Sequence, residues 1–355
     1  MREIRQLYST GRTSGARRPN RLLTTPLRLG LGLGVSVKDW LKDSPYIRKA
    51  YYDLMNQKAF SDFFEHDKMM ADRVRVEAYY QAITKYVGEG DVVIDLGTGT
   101  GILSFFAASQ NPKMVYALEH SRIIEAARLV AESNGIQNVR FENVNSKDFT
   151  PDEPADCIIH EQIGEALFDE KMVDNLLDLK KRCLKPGGTI LPGRFDLYIE
   201  PIQLSEEYYI PFAWEQNIHG ISFASMKDLA DTLQWSYYFQ PRLKPEEIEA
   251  LLCEPEPIYT IDLNEVADAT LPASLEYTKP VVNSGELHGF CVYFQACFDE
   301  VLSFANAPSG RRLSWSLPLL RIEKEEYESG DWVKFRLDAR DLADPATWRW
   351  SCGKV

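Results

Sequence analysis

Two glutamates set nine residues apart, Glu161 and Glu170, flank a Gly164 bend in the run Ile159-His160-Glu161-Gln162-Ile163-Gly164-Glu165-Ala166-Leu167-Phe168-Asp169-Glu170. Carboxylates converging from the two arms of one loop make a socket for a flat, forked cation. Guanidinium is that cation: it is planar, charged at pH 7, and its N–H groups match carboxylates two at a time. The run follows the apolar stretch Cys157-Ile158-Ile159, which has strand character. In open α/β sheets, ligands bind beyond the carboxyl ends of strands.

A second group of residues suits a small ligand. Asp95-Leu96-Gly97-Thr98-Gly99-Thr100-Gly101 joins a predicted strand, Val92 to Leu96, to helical sequence from Ile102. Glycines at such a junction permit tight turns and close approach of a ligand to the main chain. A dinucleotide loop would read Gly-x-Gly-x-x-Gly; here the third glycine comes one residue early. Asp95 also adds negative charge where a pyrophosphate would sit. A carboxylate there suits a ligand bearing an amino group, and S-adenosylmethionine (SAM) bears one. Glu119 ends the next predicted strand, where a carboxylate would grip a ribose diol.

The elements that must position these residues follow an alternating pattern. Residues 38–60 and 66–87 read as helices, with apolar residues at three- and four-residue steps. Strands are expected at Val92–Leu96, Val115–Glu119, Val139–Glu142 and Cys157–Ile159, with helices from Ile102 and over about 121–133 between them. Strands alternating with helices predict a parallel sheet covered on both faces. Beyond Lys185-Pro186-Gly187-Gly188 the pattern turns mainly β, with strand runs at 195–201, 289–298 and 332–337 and a barrel as the expected form. A helical insertion at about 208–252 interrupts it. Its aromatic cluster, Tyr208 to Phe239, either packs on its own body or meets a second subunit.

Composition narrows the setting. At 355 residues the chain is long enough for two domains, and no apolar run approaches bilayer-spanning length. The six cysteines are scattered without Cys-x-x-Cys spacing, which favours reduced thiols in the cytoplasm and argues against a structural metal site. Net charge is −13, yet residues 1–30 hold seven arginines and one acid. The acidic body repels nucleic acid and suits cationic partners. The basic head, residues 1–37, is either a tail or an organelle-targeting peptide.

From about 45 to 350 the chain resembles the protein arginine methyltransferases, a branch of the class I SAM-dependent methyltransferases. The carrying motifs are His66-Asp67-Lys68-Met69-Met70-Ala71-Asp72-Arg73-Val74-Arg75, the glycine loop from Val93 to Leu103, the double-glutamate run, and Lys185-Pro186-Gly187-Gly188 with Ile190-Leu191-Pro192. The resemblance implies a Rossmann-like domain over 38–192, then a barrel-like domain over 193–355 bearing a helical dimerisation arm, and hence a homodimer. It implies that Met69 packs near the methylsulfonium and that Arg75 pairs with the cofactor's carboxylate. Asp95, Gly97, Thr98, Gly99, Gly101, Leu103, Glu119 and His120 would line the remaining cofactor site, with Asn145 and Ser146 at the adenine. The product left behind would be S-adenosylhomocysteine. Glu161 and Glu170 would be catalytic, acting on arginine in a protein or peptide or on a small guanidino compound. A catalytically weak scaffold subunit is a further alternative.

Two departures bear on the substrate. The family usually carries Thr-His-Trp near the C-terminus, whereas this chain has Leu313-Ser314-Trp315, so Ser314 stands in the histidine position beside Trp315. The family also usually has Met-Gly-Tyr after the first glutamate; this chain has Ile163-Gly164-Glu165. Glu165 either faces water or places a third anion at the pocket mouth.

Overall fold

In a computed structural model, residues 63–355 are described except for Gln234 and Arg312; the expected tail and the helix over 38–60 lie outside the described residues. The first elements are helices α1 (Phe63–Ala71) and α2 (Arg73–Tyr86). The single helix expected over 66–87 is broken at Asp72. That residue leaves helical angles (φ −75°, ψ 85°), and its carboxylate accepts the Arg75 N–H at 3.2 Å, as an N-cap does. Along α2, Ala78, Tyr79, Ala82 and Ile83 form a buried stripe at helical spacing.

Next come β1 (Val92–Leu96), α3 (Ile102–Ala108), β2 (Met114–Leu118), α4 (Ile124–Ser133), β3 (Val139–Glu142), β4 (Ala155–His160), α5 (Met172–Cys183) and β5 (Leu184–Leu191). The five strands form one parallel sheet in the order β3-β2-β1-β4-β5. All five residues of β1 are buried, as a parallel strand covered on both faces requires. Register fixes the site. Leu96 pairs with Leu118 on one side and His160 on the other, so β1, β2 and β4 end at one level. The residues that follow, Gly97, Glu119 and Glu161, therefore leave the sheet along the same edge.

The second half is antiparallel: β6 (Arg194–Leu204), the two-residue β7 (Asn217–Ile218) and β8 (Ile221–Ser222), β9 (Phe239–Leu243), β10 (Ile248–Leu251), β11 (Tyr259–Asp262), β12 (Ser274–Pro280), β13 (Gly285–Cys297), β14 (Ser303–Ala305), β15 (Leu317–Tyr327), β16 (Trp332–Ala339) and β17 (Trp348–Lys354). One sheet runs β10-β6-β13-β15-β9, with β11 on β6 and β14 on β13; a second runs β12-β16-β17. Phe290 of the first sheet packs on Phe335 of the second at 4.4 Å, giving the barrel-like core expected.

The insertion differs from a set of long helices. Its helical parts are 3-10 segments, Ala213–Glu215, Ala224–Thr232, Trp235–Tyr237 and Pro245–Glu247. Residues 239–251 return to the barrel as β9 on β15 and β10 on β6. Pairing with barrel strands outweighs the local helical pattern there. Several of its aromatics pack on the chain's own body, though Tyr208 is exposed: Phe212 stacks on Trp214 at 4.8 Å and under the Arg321 guanidinium at 4.3 Å. Its aliphatics are the exposed part, with Ile210 and Ile221 about two-thirds accessible at 66% and 65%.

Candidate active site

The acidic loop is held by its own backbone and by the strand below it. Gly164 and Leu167 exchange main-chain hydrogen bonds at 3.3 and 3.0 Å, closing the turn. A Cβ on Gly164 would overlap the Asp169 carboxylate, which accepts the Ala166 N–H at 3.0 Å inside the turn. Buried Met172 and Val173 at the start of α5 anchor the far arm. Below, the Tyr79 hydroxyl donates to the His160 carbonyl at 2.8 Å, and the His160 ring bonds the Pro192 carbonyl at 2.9 Å. Burial pushes the imidazole down to about 4, so His160 is neutral at pH 7 and serves as a strut.

Glu161 is nearly buried and bonds the Arg75 guanidinium at 3.3 Å; their side chains are 11% and 6% exposed. The other face of that guanidinium lies 5.1 Å from the Trp315 ring. Burial drives the Glu161 carboxyl up to about 7, against the opposing pull of Arg75. Glu170 is raised well above the usual carboxylate range, first by burial and then by Glu161, Asp169 and Glu165. The site thus concentrates four acids on one turn. Burial disfavours the charged form of each.

Trp315 and its neighbours close over this turn. The Trp315 indole donates to the Ile163 carbonyl at 2.7 Å, and its ring stacks on Phe304 at 5.8 Å. The Ser314 N–H donates to Asp72 at 2.8 Å. Glu165 does not face open water: its Oε2 accepts the Ser316 N–H at 2.7 Å, and burial lifts its carboxyl to about 7.

The glycine loop lies at the same sheet edge. Gly97, Gly99 and Gly101 all have positive φ, at 77°, 54° and 93°. The N–H groups of Gly97 and Thr98 both donate to the Leu118 carbonyl at 2.9 Å. A Cβ on Gly97 would meet nothing within 4 Å, so its backbone borders open space. Gly99 is closed instead by the His66 ring, 2.8 Å from where its Cβ would stand. Asp95 is fully buried; its Oδ2 accepts the Thr98 and Ser104 hydroxyls at 2.7 Å each. Its Oδ1 is buried with no hydrogen-bond partner among the described residues. Burial raises this carboxyl to about 6, although both hydroxyls oppose the shift.

Glu119 accepts the Gly99 N–H at 3.2 Å and the Ser121 N–H at 2.7 Å, so it braces the loop. A carboxylate has about four acceptor positions, which leaves room for further donors. His120 is exposed, its Nδ1 3.6 Å from Glu119. Leu103 is buried in the first turn of α3, and Met69 is half-buried on α1. Met70 meets the Thr100 hydroxyl at 3.6 Å, which sets α1 over the glycine loop. Asn145 is exposed and caps its own turn by accepting the Lys147 N–H; Ser146 is half-buried, and its carbonyl accepts from Arg182.

The structure therefore gathers Met69, Arg75, Asp95, Gly97, Thr98, Gly99, Glu119, Glu161, Glu165, Glu170, Ser314 and Trp315 around one sheet edge. Sequence reasoning had not singled out Asp72, Tyr79, Ser104, Ser121 or Ser316. Asp72 alone carried a local signal, an N-cap residue three positions before Arg75.

A family profile described as a methyltransferase domain matches residues 88–240, and one described as the arginine methyltransferase oligomerization subdomain matches 194–331. Protein arginine N-methyltransferase 6 of Danio rerio is 32% identical over 282 residues, covering 76% of this chain and 80% of that protein. Probable protein arginine N-methyltransferase 6 of Arabidopsis thaliana is 31% identical over 289 residues, covering 80% of this chain and 66% of that protein. Among solved structures, the Trypanosoma brucei PRMT1 enzyme-prozyme heterotetrameric complex with AdoHcy shares the fold at a TM-score of 0.71. That likeness carries 23% identity and covers 83% of this chain and 94% of that one.

The residues present fit SAM. The orphaned Asp95 oxygen and the Glu119 carboxylate are acceptors for ammonium and hydroxyl groups, and the open face of Gly97 admits a ligand against the main chain. With identity above 30% across most of both sequences and the two profiles in tandem, the chain belongs to the protein arginine N-methyltransferase family and is a SAM-dependent methyltransferase.

Proposed function

We propose that this enzyme methylates a terminal guanidino nitrogen of arginine in a protein or peptide, with Glu161 and Glu170 as the catalytic pair. One observation supports the reading: the chain's own Arg75 guanidinium sits against Glu161 with Trp315 beside it, so the acidic turn accepts a group of that kind. SAM would be held by Asp95, the Gly97–Gly101 loop and Glu119, with Met69 and Arg75 at its methionine end and Asn145 and Ser146 toward its adenine. It supplies an electrophilic methyl group on a sulfonium.

The protein residues do the rest. A guanidinium has a pKa above about 12 and arrives charged, so its approach ionises Glu170 and Glu161. The two carboxylates draw positive charge toward the nitrogens that face them. The remaining terminal nitrogen regains lone-pair density and is held in line with the methyl group. Positioning and electrostatics supply the acceleration, and the proton is lost after transfer. Trp315 and the 313–316 loop exclude water from this exchange.

We also propose a homodimer built through the exposed aliphatics of the 208–238 segment, within the oligomerisation subdomain, and a reducing compartment that suits six unpaired cysteines. The deciding experiment uses labelled SAM with an arginine-rich peptide, free arginine and cell lysate, followed by mass spectrometry of the products. Methylated arginine in the peptide is expected. Labelling of free arginine alone would replace the protein-substrate reading with a small-molecule one, and no labelling at all would favour a scaffold subunit.

A further inference from the structure

Between β14 and β15, the described residues of 306–316 form no helix or strand, yet they deliver Trp315 onto Arg75 and the acidic turn. Three of its residues are tied down in succession. Ser314 and Ser316 are held through main-chain N–H groups, by Asp72 and Glu165 respectively, and Trp315 by its indole on the Ile163 carbonyl. The donors of these anchors are two main-chain N–H groups and one indole N–H, so the acceptors on the far side decide where the loop sits. Glu165 is half-buried, and its bond at 2.7 Å is the shorter of the two carboxylate anchors. Above about pH 7, where Glu165 is ionised, its bond to the Ser316 N–H is charge-assisted and roughly twice as strong as a neutral one.

We propose that Glu165 is a positioning residue, which latches the 313–316 loop to the acidic turn and so places Trp315 over the Arg75–Glu161 pair. This rests on the reading of Glu161 and Glu170 as the guanidinium seat. Glu165 acts on that seat through the loop: one of its oxygens is committed to Ser316, and the loop closes the wall opposite Glu161. Without the latch, the loop regains backbone freedom worth about 1–2 kcal/mol per residue. Trp315 then no longer defines the seat for an incoming guanidinium.

The test compares Glu165→Ala and Glu165→Gln in the full chain, with folding checked by circular dichroism. Hydrogen exchange of the Ser314–Ser316 amides is read without substrate, and KM and kcat are then measured with an arginine-rich peptide. Glutamine keeps a carbonyl acceptor and loses the charge. Glu165→Ala is expected to lose protection at Ser316 by about tenfold to a hundredfold, the worth of one charge-assisted hydrogen bond. It should raise KM in step, while S-adenosylhomocysteine affinity stays within about threefold. Glu165→Gln should restore most of the protection and most of the KM. Unchanged exchange in Glu165→Ala overturns the latch. So does a glutamine variant that is protected like the native enzyme but as poor in KM as alanine, because the charge would then be meeting substrate directly. Exchange is read in the absence of turnover, so failure of the methyl-transfer reading leaves this result interpretable.

Discussion

Replacing Glu170 by glutamine should move stability and activity in opposite directions. Glu170 is raised well above the usual range because it is buried among Glu161, Asp169 and Glu165. In the unfolded chain an ordinary glutamate ionises near 4.5. Its stabilising contribution is therefore fully present below that pH and is lost as pH rises toward the folded value. In that window the folded protein binds one proton more, so stability falls by about 1.4 kcal/mol per pH unit from this group alone. Glutamine mimics the protonated acid and removes the slope. Relative to the native chain, Glu170→Gln should gain stability steadily as pH rises above the unfolded-state value, read from urea melts at a series of pH values. Turnover should fall, because the substrate cation meets one carboxylate instead of two. Losing one preorganised electrostatic partner costs about 3–4 kcal/mol, or roughly a hundredfold to a thousandfold in kcat. S-adenosylhomocysteine affinity, by calorimetry, should stay within about twofold. Parallel stability–pH curves together with turnover within about threefold of native would refute the reasoning.

For the native enzyme, kcat/KM with an arginine-rich peptide should climb from pH 6 to pH 8.5, since Glu161 holds its proton up to about 7 and must release it to seat a cation; a flat profile contradicts this. Gly97→Arg puts a side chain at φ 77° into the open face of the loop, and SAM binding should fall more than about a hundredfold by calorimetry while the melting curve stays cooperative. Ile221→Glu combined with Met226→Glu should yield monomers by analytical ultracentrifugation; this is a cleaner cut than deleting 208–252, which would remove barrel strands β9 and β10. Lys279→Met should destabilise by about 3–5 kcal/mol in chemical melts, because it strands the fully buried Glu200 that Lys279 bonds at 2.6 Å, and Glu200→Gln in the same chain should recover most of the loss.

Much of this protein is legible from local pattern. The apolar run Val92–Leu96 ending in glycines, the acid closing the next strand, and two glutamates about a Gly164 bend are short-range signals, because strand burial and glycine turns act over a few residues. The mainly β second half was legible for the same reason. The apolar spacing over 66–87 is continuous through Asp72, so the periodicity does not reveal the cap that breaks the helix there. The pairing of residues 239–251 with β15 and β6 has no local signature, so the helical pattern of the insertion does not disclose it.

Three facts were decided only in three dimensions. Register brought Leu96, Leu118 and His160 level, which set Gly97, Glu119 and Glu161 on one edge. Arg75 reached Glu161 across 86 residues and brought a guanidinium against the acidic turn. Glu165 found the Ser316 N–H across 151 residues and turned from a free anion into an anchor. Spacing along the chain determined which chemistry was available, since residue type and turn geometry are local. Sheet order and long-range packing decided which charges meet and which acids are buried, and therefore which carboxyls are raised above their ordinary range.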